Sequence, residues 1–238
     1  MRAQSHVVGA VLMVGLAVIA ISGLTVGIGS LLESQAAGAD AERVATALDD
    51  GLVGVERTGP YSHDVRFSGG SLGTEPRTLR LLFANGTVVS THRVDALVFE
   101  ADNNRVAFLA GATVRGRPGR AWLASEPPIT SSERTGALVV GVPVLNAGNA
   151  TVGGTGGVSA TLHTNVSHDR RGLGTARFAV AIETATPGPF ERYFRGQNAT
   201  TDRRTFAGDS HESVVARYPG ERMGYLVVHD LSLEVNSG

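Results

Sequence analysis

Uncharged residues fill the N-terminal part of the chain from His6 to Leu32, and the first acidic residue is Glu33. This run exceeds the ~20 apolar residues that a helix needs to cross a bilayer. The pattern therefore predicts a membrane-spanning helix over residues 4–32, with the larger polar remainder on the outer side of the membrane. Arg2 on the cytoplasmic side agrees with the positive-inside bias.

Beyond this run, apolar residues recur at three- and four-residue spacing, which is typical of an amphipathic helix. These residues are Ala37, Ala41, Val44, Ala45, Leu48 and Leu52. Thr58-Gly59-Pro60 ends the pattern. We expect an amphipathic extension over residues 33–57, and a continuous helix from Gln4 to Leu52 would be about 70 Å long.

After residue 60 the period changes to that of β-strands, and short runs are separated by turn residues. Asn85-Gly86 lies between Thr78–Phe83 and Thr87–His92, which is the strongest short signal for a hairpin. A second hairpin is expected around residues 101–104. Further predicted strands are Ala112–Arg115, Ala121–Ala124, Gly136–Leu145, Val158–His163, Thr175–Thr184, Ser213–Arg217 and Gly224–Val235.

The remaining elements complete a predicted head over residues 58–238. Pro189–Gly196 is expected to form a short helix, Ala147–Gly157 an exposed loop, and His229-Asp230 a β-bulge. The predicted class is α+β: a long N-terminal transmembrane and amphipathic helix, followed by a mostly antiparallel β-sandwich or barrel-like head.

The composition of the chain excludes some classes of binding partner and of stabilising bond. The chain has 238 residues and a formal net charge of −1, so it lacks the basic field that attracts nucleic acid. It has no cysteine, which excludes disulfides and thiolate metal sites. We therefore expect no nucleic-acid partner, and a head held together by packing and hydrogen bonds.

The N-terminal segment allows three interpretations. Ala37-Gly38-Ala39 could serve as a cleavage site for a conventional signal peptide, although the apolar run is about twice the usual 7–15 residues. The segment could instead be an uncleaved anchor. The third interpretation rests on the residues around Arg2-Ala3-Gln4-Ser5, which are followed by the apolar run.

These residues resemble the class III signal of archaeal type IV pilins and archaellins, in which a charged and a small residue precede the cut. The resemblance covers about residues 2–30 and implies a leader over residues 1–3, with cleavage between Ala3 and Gln4 by a prepilin peptidase. Many haloarchaeal pilins carry proline where this chain has His6. The resemblance also implies assembly with other pilin-like subunits through the N-terminal helix, where Gly23 and Gly27 form a small-xxx-small packing motif.

Asparagine sequons indicate an extracellular surface. Asn85, Asn149, Asn165 and Asn198 each begin an N-x-[ST] sequence, more often than chance predicts. All four fall in predicted turns or loops, where a glycan fits. We expect a glycosylated head outside the cell, and a chain held in the cell membrane or assembled in a surface filament.

Catalytic and metal-binding patterns are lacking in the sequence. The histidines are scattered, no H-E-x-x-H motif occurs, and Gly153–Gly157 is not followed by Gly-Lys-Ser/Thr. We therefore expect no catalytic residues, no metal and no cofactor. The function predicted is that of a non-enzymatic type IV pilin-like surface protein, either a minor pilus subunit or a surface-exposed pilin-like protein. The alternatives are a permanently anchored extracellular binding module that does not polymerise, and an enzymatic head.

Overall fold

The computed structural model describes residues 34–53 and 57–237. Helix α1 occupies residues 34–48 and continues into a π-helical turn, Asp49–Val53; helix α2 is Pro187–Gly196. The strands are β1 Gly59–Glu75, β2 Thr78–Phe83, β3 Val88–Arg93, β4 Ala96–Ala101, β5 Asn104–Leu109, β6 Ala112–Arg115, β7 Trp122–Leu123, β8 Ile129–Ser132, β9 Ala137–Val144, β10 Thr151–Ala176, β11 Phe178–Glu183, β12 Thr200–Arg204, β13 Ser213–Arg217, β14 Arg222–Asp230 and β15 Glu234–Ser237.

Within the described residues the strands form two sheets. The large sheet has ten strands in the order β7-β6-β5-β4-β1-β10-β14-β9-β8, and β15 pairs with β10 beside this path. The small sheet has five strands in the order β12-β13-β11-β2-β3. Strands β9 and β14 run parallel, and the other pairs are antiparallel.

The large sheet is covered on both faces. In β4, Ala96 and Val98 face the small sheet, whereas Leu97 and Phe99 face α1. Successive side chains of a strand point to opposite faces, so a strand buried on both faces is apolar at successive positions. This arrangement gives three layers: α1, the large sheet, and the small sheet with α2 packed at its edge.

The apolar cluster between the sheets is the inter-sheet core, and the cluster between α1 and the large sheet is the helix interface. The inter-sheet core includes Leu81, Val180 and Ile182 of the small sheet and Phe190 and Phe194 of α2, all fully buried. The helix interface includes Phe67 of β1 and Phe108 of β5.

The structure contradicts the predicted α+β class. The described chain is mostly β, with two short helices, and among the described residues there is no long N-terminal helix. The predicted helix over residues 4–32 lies outside the described residues. The helical pattern of the predicted extension over residues 33–57 ends in the π turn, where Asp49-Asp50-Gly51 lowers helix propensity. No helix of the described part is long and apolar enough to cross a membrane.

Two long strands account for much of the difference between the predicted class and the observed fold. Strand β1 has 17 residues and β10 has 26, and they pair from Gly59↔Val166 to Gly73↔Thr151. Much of both was not predicted, because their glycines carry no apolar pattern. The predicted loop over Ala147–Gly157 is therefore wrong from Thr151 onward. Gly153 has to be glycine there, since a Cβ would lie 2.8 Å from the Gly70 carbonyl oxygen.

The hairpin predictions are confirmed. Gly86 has φ +90° in the β2–β3 turn, and the Phe83 amide donates to the Thr87 carbonyl at 2.9 Å. The β4–β5 hairpin forms around Asp102, and the short helix forms as α2. The predicted bulge at His229-Asp230 is instead the end of β14, and the chain turns through Ser232 before β15.

Candidate functional site

Helix α1 lies against the large sheet through a narrow apolar face. Its buried apolar residues, together with Leu52 of the π turn, are the predicted stripe of Ala37, Ala41, Val44, Ala45, Leu48 and Leu52. Several of these side chains are alanines, which bury little apolar area compared with leucine or phenylalanine. Apolar burial alone therefore holds this helix weakly, and polar contacts supplement it.

Asp40 provides the first polar contact. It is 2% exposed, and its carboxylate accepts the Ser68 amide at 2.7 Å and the Ser68 hydroxyl at 3.3 Å. Arg43, one turn further along α1, donates to the same carboxylate. A buried carboxylate is stable only when hydrogen-bonded or paired, and Asp40 is both. This residue fixes the first turns of α1 on β1.

Asp49 provides the second contact, at the start of the π turn. Its Oδ1 accepts the Thr113 hydroxyl at 2.5 Å and the Ser125 hydroxyl at 2.7 Å. Between the two aspartates, Glu42 pairs with Arg115 of β6. The helix is thus tied to the sheet near both ends and in its middle, so its direction relative to the sheet is fixed.

These three contacts were not predicted from the sequence. Asp40 and Asp49 are charged residues, and an apolar periodicity does not by itself mark them as contacts of the buried face. A signal was available for Asp40, which precedes Val44 and Leu48 at four-residue intervals and therefore shares their face. The partners Ser68 and Thr113 are distant in sequence, and nothing local marks them.

The end of the head at which α1 begins, called the anchor end below, is lined by small residues. A cleft of about 440 Å³ there includes Ala36 and Ala37 of α1, Gly69 and Gly70 of β1, and Asp102 of the β4–β5 turn. Gly70 has φ +119°, and a Cβ would lie 2.5 Å from the Glu100 carbonyl oxygen. The glycines thus allow the backbones of β1 and β4 to approach closely beside the start of the helix.

The four sequon asparagines are all exposed. Asn85 lies in the β2–β3 turn, Asn149 between β9 and β10, and Asn198 between α2 and β12. Asn165 lies within β10 and not in a loop, because β10 extends far beyond its predicted bounds. The predicted processing residues Arg2, Ala3, Gln4 and Ser5 and the packing residues Gly23 and Gly27 lie outside the described residues.

The fold brings two histidines together that the sequence left apart. Nδ1 of His168 and Nδ1 of His229 are 2.9 Å apart across the β10–β14 pair. In residues 34–53 and 57–237, no group of three or more metal-ligating side chains could hold a metal ion.

A second cleft, of about 410 Å³, lies beside α2 and the β6–β7 turn. Its lining includes Arg192, Arg203, His211 and Glu212. Burial, and to a lesser extent the nearby Arg77, lowers the pKa of His211. Arg203 is paired with Glu191 at 2.6 Å, so its charge is largely satisfied.

Comparison with known proteins gives a family without a known activity. A model of the family of unknown function DUF7289 matches residues 2–234, so the chain belongs to this family. No curated protein matches the chain. No solved structure matches it either.

Proposed function

We propose that this member of the DUF7289 family is a type IV pilin-like surface protein. In this proposal the uncharged segment of residues 6–32 inserts into the cell membrane, and the β-rich head faces outward. The protein acts structurally, by display and by association with other pilin-like subunits, and catalyses no reaction.

One observation carries the proposal: the uncharged segment leads directly into a helix that is fixed on the head. Residues 6–32 are followed by α1, which begins the described chain at residue 34. Asp40, Glu42 and Asp49 then tie α1 to β1 and β6 and to the segment after β7. A head joined to its anchor without an independent linker transmits position and force directly, as a filament subunit requires.

Two further features support the proposal. The residues Arg2-Ala3-Gln4-Ser5 resemble a class III signal, which a prepilin peptidase would cut after Ala3. The four sequon asparagines are exposed on the head, where glycans would face the outside of the cell.

Processing provides the main test. Protein purified from membranes of the native host should begin at Gln4, as measured by N-terminal sequencing and intact mass. Arg2→Leu and Ala3→Leu should accumulate as precursor that begins at Met1. Arg66→Leu is the matched control, because Arg66 is exposed on the head and its replacement should leave processing unchanged. A mature chain that begins near Asp40, or normal processing of both leader variants, would contradict the proposal.

The permanently anchored binding module is the second candidate, and the cleft beside α2 favours it because about 410 Å³ is enough for a small ligand. Polymerisation separates the two candidates. Electron microscopy of surface filaments labelled with antibody to the head should show this protein in the filament. Gly23→Leu and Gly27→Leu should reduce incorporation. An unprocessed protein that remains in membranes without filaments would favour the binding module.

A further inference from the structure

We propose that the anchor end of the head rests on the lipid headgroup surface, through Trp122 and the arginines of the β6–β7 turn. This inference rests on the proposed function, because it requires that residues 6–32 hold the chain in a membrane. It adds the orientation of the head and names the lipid surface as the partner of the anchor end.

The β6–β7 turn lies at the anchor end. Arg117 donates from Nη2 to the Asp102 carbonyl at 2.6 Å and from Nε to the Asn103 carbonyl at 3.1 Å. Asp102 in turn lines the cleft beside Ala36 and Ala37, at the start of α1. The turn is therefore close to the point where the uncharged segment joins the head.

Trp122 lies beside α1 at the short edge strand β7. It is 48% exposed, and it is the single tryptophan of the chain. The Arg115 guanidinium is 5.4 Å from its ring centroid and also pairs with Glu42 of α1. Glu42, Arg115 and Trp122 thus form a row across this face of the sheet, and the indole extends the row beyond the helix.

Lipid headgroups suit this surface better than water does. Tryptophan is enriched at membrane–water interfaces, because its ring is apolar and its N–H is polar. The guanidinium group of arginine donates to phosphate in a bidentate geometry. Arg117 and Arg120 are both exposed at the turn.

In residues 34–53 and 57–237 no acid pairs with either arginine, and Arg117 keeps its Nη1 N–H groups for a phosphate beside its two carbonyl contacts. Arg115 is paired with Glu42, and Arg105 is paired with Glu75 and Glu100. Asp102 is exposed beside the turn, where its carboxylate offsets part of the positive charge. We therefore expect contact with the phosphates of any phospholipid and a modest preference for anionic ones.

The test uses the intrinsic fluorescence of Trp122 in the full chain reconstituted into vesicles. The vesicles contain phosphatidylcholine and phosphatidylglycerol in equal parts, with a nitroxide either on the headgroup or in the middle of the acyl chain. The headgroup nitroxide should quench Trp122 more strongly than the mid-chain nitroxide. Replacing both turn arginines, Arg117→Gln with Arg120→Gln, should reduce this quenching at least about twofold.

A displaced tryptophan provides the control. In the variant Trp122→Phe with Tyr225→Trp, the probe lies on β14, where Tyr225 is 44% exposed and pairs with Gly172 of β10. Gly154 of β10 pairs with Gly70 at the anchor end, and Gly172 lies about 59 Å further along β10 at 3.3 Å per residue, so this probe should not be quenched. Flotation of the vesicles is measured in parallel. Protein that floats with unquenched Trp122 would overturn this inference, leave membrane anchoring intact, and point to a protein partner for this surface. Protein that does not float would overturn both.

Discussion

The two faces of the large sheet are covered in different ways. On one face the small sheet and α2 form the inter-sheet core, in which fully buried Phe178, Phe190 and Phe194 pack among aliphatic side chains. On the other face a single helix presents a stripe of mainly small residues, and buried or partly buried carboxylates tie it down.

The difference follows from the area that each covering element can bury. A sheet contributes alternate residues of several strands, so its apolar contact suffices to hold it. One helix contributes a single stripe, and alanines in it let the helix approach the sheet closely while burying little area. Hydrogen bonds to the carboxylates of Asp40 and Asp49 are directional, so they fix the direction of α1 relative to the sheet. We infer that the inter-sheet core provides stability and the helix interface provides orientation.

The largest expected effect comes from the inter-sheet core. Phe178→Ala removes a fully buried ring that stacks on Phe83, and it should lower the free energy of unfolding by about 3–5 kcal/mol. Leu48→Ala, at an equally buried position of the helix interface, should cost about 2–3 kcal/mol. Urea denaturation monitored by far-UV circular dichroism measures both. A larger loss for Leu48→Ala would reverse the assigned roles.

The next largest effect is expected from adding a Cβ at Gly70, where the backbones of β1 and β4 are close at the anchor end. Gly70→Ala should cost about 2–4 kcal/mol, because its φ is +119° and its Cβ would lie 2.5 Å from the Glu100 carbonyl oxygen. Gly154→Ala is the matched control, since the closest atom to its Cβ would be Val158 Cγ2 at 3.4 Å. The control should stay within about 1 kcal/mol of wild type. Equal losses of unfolding free energy in the two variants would show that Gly70 is not required for close approach of the two backbones.

Loss of the Asp40 carboxylate should release the start of α1. Asp40→Ala leaves the Ser68 amide without its acceptor and should cost about 1–3 kcal/mol. Hydrogen exchange should become faster in α1 and remain unchanged in β11 and β13. Arg43→Ala should cost under about 1 kcal/mol, because the Arg43 side chain is 55% exposed. Uniformly faster exchange across both sheets would refute an orienting role for Asp40.

The smallest expected effect is a pH dependence of stability. Mild acid should destabilise the small sheet before it destabilises α1. Burial lowers the pKa of His92 in β3 and of His211 near the small sheet below the ordinary 6.5. The unfolded chain therefore binds protons more readily, and their contribution to stability is complete above pH 6.5 and is lost as the pH falls below it. Hydrogen exchange at pH 7.5 and 5.5, corrected for intrinsic rates, should show more opening in β3 than in α1. His92→Gln should reduce that difference. A pH dependence that the substitution leaves unchanged would exclude His92 as a cause.

Local signals in the sequence predicted part of the fold. Asn85-Gly86 predicts its hairpin because a tight turn needs a residue that accepts positive φ, as Gly86 does at +90°. The period of residues 37–52 predicts which face of α1 is buried. Strands β1 and β10 could not be predicted in full, because glycines such as Gly70 and Gly153 permit close backbone approach and contribute no apolar pattern.

The sequence by itself determined the uncharged N-terminal segment, the sequons, the hairpins and the apolar stripe of α1, since each depends on residues that are close together in the chain. Only the tertiary structure decided that the class is mostly β, that Asp40 meets Ser68 and Asp49 meets Thr113, and that Trp122 lies beside α1 at the anchor end. These contacts join residues that are distant in sequence, and their geometry depends on which strands pair and in which register.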